Sequence, residues 1–133
     1  MGDPLGTTAS IVAVLGLTDT VVKYLNDVKD ASEDRKKILL EISNAHGLLY
    51  TLKDLAERQP SGNVKSLDVP NGPLAQFKSA LERLAVKLAP VTGRKKIEKA
   101  LGWPFQKEDV ADILRTIERQ KSLFILALQE DHM

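Results

Sequence analysis

Along most of this chain apolar residues recur at alternating steps of three and four, the spacing that lays them on one face of an α-helix. Ile38, Ile42, Ala45, Leu49, Leu52 and Ala56 make one such stripe, and Leu74, Phe77, Leu81, Leu84 and Leu88 a second. Val110, Ile113, Ile117, Phe124 and Leu128 make a third. Start and stop signals bracket them. Asp30-Ala31-Ser32-Glu33 has the spacing of a capping box ahead of the first stripe. Asn71 or the Pro73 turn opens the second, which must stop before Pro90, and the third runs almost to Met133. Between the first two, PSGNVKSLDVPNGP (60–73) is rich in proline, glycine and asparagine and reads as a crossover loop. Val91-Thr92-Gly93 is a break, followed by a short basic helix from about Arg94 to Leu101 that Gly102-Trp103-Pro104 ends. No segment shows the period-2 alternation of a strand.

The chain ahead of these stripes obeys a different pattern. Asp3-Pro4 is a helix start, a capping acid followed by a proline suited to the first turn, and the helix it opens extends to about Lys29. Its second half is amphipathic: Val21, Val22, Leu25 and Val28 share one face, Lys23, Asn26 and Asp27 another. Its first half is not. Ile11, Val12, Ala13, Val14, Leu15 and Leu17 point in every direction, and no charge occurs between Asp3 and Asp19. A helix of that kind belongs either at the centre of a bundle or in lipid. From Leu5 to Val22 it would span about 27 Å, near the ~30 Å of a bilayer's hydrocarbon, with Asp19 placed toward the end where a charge costs least.

These patterns predict an all-α protein. Residues 1–133 form one domain, an antiparallel helical bundle of four long helices plus one short connecting helix. Composition removes several functions from consideration. With 19 Lys and Arg against 18 Asp and Glu, the net charge is +1, so an electrostatic partner would have to be met by a local patch and nucleic acid is not expected. The chain has no cysteine, hence no disulfide framework and no thiolate metal site. Its two histidines, His46 and His132, lack any metal-ligand spacing, and no phosphate-binding loop or nucleophile elbow is present. We therefore expect no catalytic, cofactor-binding or metal-binding residues and no enzymatic activity. One patch stands apart. In GRKKIEK, Arg94, Lys95, Lys96 and Lys99 fall within two turns, and each basic residue near an anionic leaflet contributes roughly 1 kcal/mol. Trp103 and Phe105 follow, suited to headgroup depth. The plainer reading of the same run is a basic turn that keeps the bundle soluble.

Particular stretches carry a likeness to a known family. Asp3-Pro4-Leu5, Thr8-Ala9-Ser10-Ile11-Val12-Ala13-Val14-Leu15, Tyr24-Leu25-Asn26-Asp27-Val28-Lys29-Asp30, Leu39-Leu40-Glu41-Ile42-Ser43 and Val69-Pro70-Asn71-Gly72-Pro73-Leu74 resemble the N-terminal domain of fungal STAND proteins. So do Trp103-Pro104-Phe105 and Ile125-Leu126-Ala127-Leu128-Gln129, so that the likeness covers nearly the whole chain. STAND proteins are NLR-like receptors with a NACHT or NB-ARC NTPase and ankyrin, WD or TPR repeats, and the domain belongs to the HeLo-like group of helical bundles. The resemblance implies a cell-death effector: bundles cluster when the receptor oligomerises, and the N-terminal helix enters the membrane. It places membrane insertion on Leu5, Ile11, Val12, Val14, Leu15, Leu17 and Val21, while the charge of the basic run makes Arg94, Lys95, Lys96 and Lys99 the candidates for anionic-lipid contact. The implied partners are further copies of the chain, anionic membrane lipids, and NTPase and repeat domains linked beyond Met133. The implied location is the cytoplasm at rest and the plasma membrane on activation. The alternative from another class is a protein–protein adaptor bundle whose apolar helix never leaves the core. Gly6 and Gly16 each cost roughly 1 kcal/mol in a helix interior, yet glycines also let helices approach closely in lipid.

Overall fold

The computed structural model of the chain describes residues 4–28, 32–58, 62–89 and 103–131. Four long helices and one helical turn lie within them: α1 (Pro4–Asp27), α2 (Glu33–Arg58), α3 (Gly62–Lys65), α4 (Pro73–Leu88) and α5 (Lys107–Asp131). Every described element is helical, as the stripes predict. A short element stands where the sequence suggested none: α3 sits inside the stretch read as a crossover loop, while the basic helix expected over 94–101 lies outside the described residues. Tertiary burial explains α3. Val64 and Leu67 are both buried, and Leu67 and Asp68 donate their N–H groups to the carbonyls of Val64 and Lys65, so the turn closes around two core anchors.

The ends of the helices follow from local chemistry. Ser32 Oγ accepts the Arg35 N–H at 3.2 Å, which makes Ser32 the cap of α2. α1 ends two residues earlier than Lys29, and the Arg35 guanidinium explains its stop, because it donates to the Leu25 carbonyl at 3.1 Å and satisfies one of the acceptors a helix end leaves open. Before α4 the chain turns through Asn71, held at φ 60, and Gly72. A Cβ on Gly72 would stand 2.6 Å from the Val69 side chain and 2.9 Å from the Val69 carbonyl, so only glycine fits there. Pro73 then supplies the first position of α4. At the start of α5, Asp109 reaches back to accept the Gln106 N–H at 3.3 Å.

α1 packs against α2 and α4, and α5 packs against the same two, so α1 and α5 face each other across the bundle. Asp19 meets His46 and Leu25 meets Arg35, so α1 and α2 run antiparallel. Gln76 meets Gln120 while Arg83 and Lys87 approach Asp109, so α4 and α5 do too. One cluster of buried side chains joins all of them, centred on Leu25, Ile38, Ile42, Leu49, Phe77 and Phe124. Phe77 and Phe124 meet edge to face at 5.6 Å and tie α4 to α5. Leu88 and Leu128, read as core positions, are only half-buried because each lies near the end of its helix, where fewer neighbours cover it.

Candidate functional site

α1 is not the central helix its composition suggests. It stands at a corner of the bundle with one face toward solvent, and Gly6, Ala9, Val12, Ala13 and Gly16 are exposed along it. The physical reason is size: small side chains occupy the outer positions, so the helix is apolar all round in sequence while large side chains still concentrate on one side. Of the seven residues assigned to membrane insertion, Ile11, Val14, Leu15 and Val21 are core anchors, each no more than 5% exposed. Leu17 is half-buried against the core, and Val12 is 46% exposed. Leu5 lies in the helix, and its side chain is outside the described residues. The set is therefore mainly a buried row, and Val12 is its one exposed member among the side chains described; the rest of the exposed row is Gly6, Ala9, Ala13 and Gly16. Fully burying such side chains contributes roughly 1.5–3 kcal/mol each, so the buried row is what keeps α1 in place.

Polar attachments of α1 are few and lie toward its C-terminal end. His46 Nε2 is 3.0 Å from Asp19 Oδ1 without hydrogen-bond alignment, and the Arg35–Leu25 contact follows one and a half turns later. From Thr7 to Thr18 the side-chain hydrogen bonds of the described residues stay within the helix: Ser10 donates to Gly6 and the buried Thr18 to Val14. The Thr18 bond satisfies a hydroxyl inside the core, the Ser10 bond lies at the surface, and neither binds α1 to a neighbour. Against α4 the first half of α1 leaves a crevice of about 410 Å³ edged by Ala9, Ser10, Ala13, Leu74, Ala75 and Lys78. Gly6–Asp27 is long and apolar enough to cross a bilayer, and only 33% of its most apolar window is buried. A core helix of equal hydropathy would be mostly covered.

Sequence reasoning missed two hydrogen-bonded contacts that hold the other helices to each other, and one looser approach of exposed charges. Lys121 Nζ donates to both carboxylate oxygens of Glu41 at 2.9 and 3.1 Å, joining α5 to α2. Gln120, 1% exposed, donates to Gln76, which in turn donates to the Asn71 carbonyl. Arg83 and Lys87 both approach Asp109 at 3.9 Å. Only Gln120 left a signal in the sequence, an amide on the stripe between Ile117 and Phe124. The aromatic pair after the basic run also needs correction. Phe105 is buried and Trp103 packs beside it with ring centres 5.0 Å apart, so in this conformation Phe105 does not stand at a surface. Its apolar ring is better satisfied as a lid over α4, with Lys87 Nζ 5.3 Å from the ring centre. Arg94, Lys95, Lys96 and Lys99 lie outside the described residues. Among those described, no three His, Asp or Glu side chains converge as a metal ion would need. No protein-family model, curated protein or solved structure matches the chain.

Proposed function

We propose that this chain is a non-enzymatic cell-death effector domain that acts when clustered, by releasing α1 into a membrane and permeabilising it. The resemblance to the HeLo-like domain of fungal STAND receptors motivates the reading. The observation that carries it is the attachment of α1: a row of apolar anchors and, from Thr7 to Thr18, an uncharged outer face with no polar tie to another helix among the described residues. Five large anchors, Ile11, Val14, Leu15, Val21 and Leu25, hold α1 by roughly 8–15 kcal/mol against water. Lipid removes that barrier. An apolar side chain leaving the core for hydrocarbon stays out of water, so the transfer of the anchors themselves is costly in solution and nearly neutral at a bilayer, and the cost that remains is the apolar surface uncovered on α2 and α4. Clustering then concentrates several such helices at one patch of membrane. In this reading the domain rests in the cytoplasm and acts at the plasma membrane, Arg94, Lys95, Lys96 and Lys99 draw it to anionic lipid, and linked NTPase and repeat domains supply the trigger.

The test is dye release from anionic vesicles by the domain fused to an inducible oligomeriser. Leakage should appear on clustering and fall when Arg94, Lys95, Lys96 and Lys99 are all changed to glutamine or when salt is raised. Clustered protein that binds vesicles and releases nothing contradicts the reading. A protein–protein adaptor role is favoured by a separate observation: Leu40 on α2 and Leu126 on α5 are 61% and 49% exposed, apolar surface that a partner protein would cover. That role predicts a clustered domain that captures a partner and leaves vesicles intact.

A further inference from the structure

Two recesses meet along the seam between α4 and α5. The smaller, about 220 Å³, is edged by Asn71, Gln76, Ser79, Arg83 and Thr116, and Arg83 is its one charged residue. The larger, about 470 Å³, holds Val86 and Phe105, with Lys87, Glu82 and Asp109 around them. Ser79 and Arg83 border both, so the two form one groove, polar with a single positive charge at one end and apolar at the other. We infer that this groove binds a free, monomeric anionic amphiphile, a carboxylate or phosphate monoester carrying one short alkyl chain.

The chemistry of the lining assigns the two ends. Arg83 Nη2 stands 3.9 Å from Asp109 Oδ1, beyond hydrogen-bond distance. The guanidinium thus keeps donors for another acceptor, and in the smaller recess no carboxylate competes for them. Gln76 is committed, accepting from Gln120 and donating to Asn71, which leaves Ser79 and Thr116 as the hydroxyls beside Arg83. An anionic head fits there. The alkyl chain then runs toward Phe105 and the exposed side chain of Val86, in a volume within the usual range of small-molecule sites. Glu82, Asp109 and Lys87 border only the larger recess, where acids and bases offset one another, whereas in the smaller one the charge of Arg83 stands alone. A free monomer is favoured over a bilayer lipid because the apolar end is a recess floored by a buried ring, which a lipid would have to leave its leaflet to reach. Neither recess includes a residue of α1, so this site stands or falls independently of the reading above.

The chain contains its own reporter. Trp103 is the single tryptophan and lies against Phe105, so a tail in the larger recess should change its emission. Decanoate below its micelle concentration should give a saturable change in Trp103 fluorescence, with a matching calorimetric isotherm. Decanol and decyltrimethylammonium should bind at least about tenfold more weakly, because neither offers Arg83 a charged acceptor. Arg83→Gln should weaken decanoate to a similar degree while melting as wild type, and Glu82→Gln should tighten it or leave it unchanged. The inference is overturned by any of three results. These are no saturable response, decanol binding as tightly as decanoate, or a folded Arg83→Gln protein with unchanged affinity. A response seen only with anionic vesicles and never with monomeric decanoate would also overturn it, and would identify a membrane surface instead.

Discussion

α1 and α5 occupy equivalent places. They have 24 and 25 residues, stand opposite each other, and pack against the same two helices. Their chemistry differs in every other respect. α1 carries only Asp19, Lys23 and Asp27 as charges, whereas α5 carries eight between Lys107 and Lys121. α5 is tied to α2 by Lys121–Glu41 and to α4 by Gln120–Gln76, while from Thr7 to Asp27 the one aligned interhelical hydrogen bond among the described residues lies at the C-terminal end of α1. Equal packing positions therefore do not mean equal attachment. Moving α5 into lipid would strand charges in hydrocarbon at roughly 2.5–3.5 kcal/mol each at mid-depth, and moving the first half of α1 strands none. The bundle reads as three helices fixed by geometry and a fourth held by solvent.

The sharpest way to break the comparison is to charge the buried row. Val14 is 2% exposed, and Val14→Asp should destabilise the protein by about 3–5 kcal/mol, a large fraction of the roughly 5–15 kcal/mol of a whole domain. A near-native thermal melt would show that α1 is not held by its anchors at all. Next comes the other helix. Glu41 and Lys121 are 16% and 21% exposed, and Glu41→Ala leaves a mostly covered ammonium without its partner, at a cost of about 1–3 kcal/mol. Urea titration measures it, and an unchanged midpoint would remove the distinction between pinned and unpinned helices.

A smaller effect is expected at Asp19. Its side chain is 67% exposed, so Asp19→Asn should change global stability by less than about 1 kcal/mol. Amide exchange is the more telling readout. Residues 7–18 should exchange faster than 110–124 in the wild type, and Asp19→Asn should speed α1 alone. Uniform protection across both helices would mean that the bundle opens only as a whole.

Much of this was written in the sequence, and the limits are physical. Ile38, Ile42, Ala45, Leu49, Leu52 and Ala56 are all buried, because a stripe of large apolar residues on a polar helix has only one face to hide. α1 offered no such contrast. With Val, Leu, Ala and Gly on all sides, periodicity could not tell its core row from its outer row, and the small size of Ala9, Ala13 and Gly16 decided the matter in space. The turn over Gly62–Lys65 was hidden by its own proline- and glycine-rich surroundings, since its cause is the burial of Val64 and Leu67. Glu41 and Lys121 lie 80 positions apart, and Asp19 and His46 27 apart, so neither pair could be read before the helices were in register.

The exposed row gives the most direct test of the central claim, that α1 leaves the bundle and enters lipid. Deleting the first helix is a poor test, because Ile11, Val14 and Leu15 would leave the core with it. Val12 is 46% exposed, so Val12→Asp should shift stability by no more than about 0.5 kcal/mol. In a bilayer the same carboxylate lies within the apolar segment and costs about 2.5–3.5 kcal/mol per helix, multiplied over every copy in a cluster. The measurement is dye release from anionic vesicles by clustered Val12→Asp protein, beside its thermal melt. The account predicts a wild-type melt and no release. A well-folded, clustered Val12→Asp protein that empties vesicles as fast as wild type would contradict it.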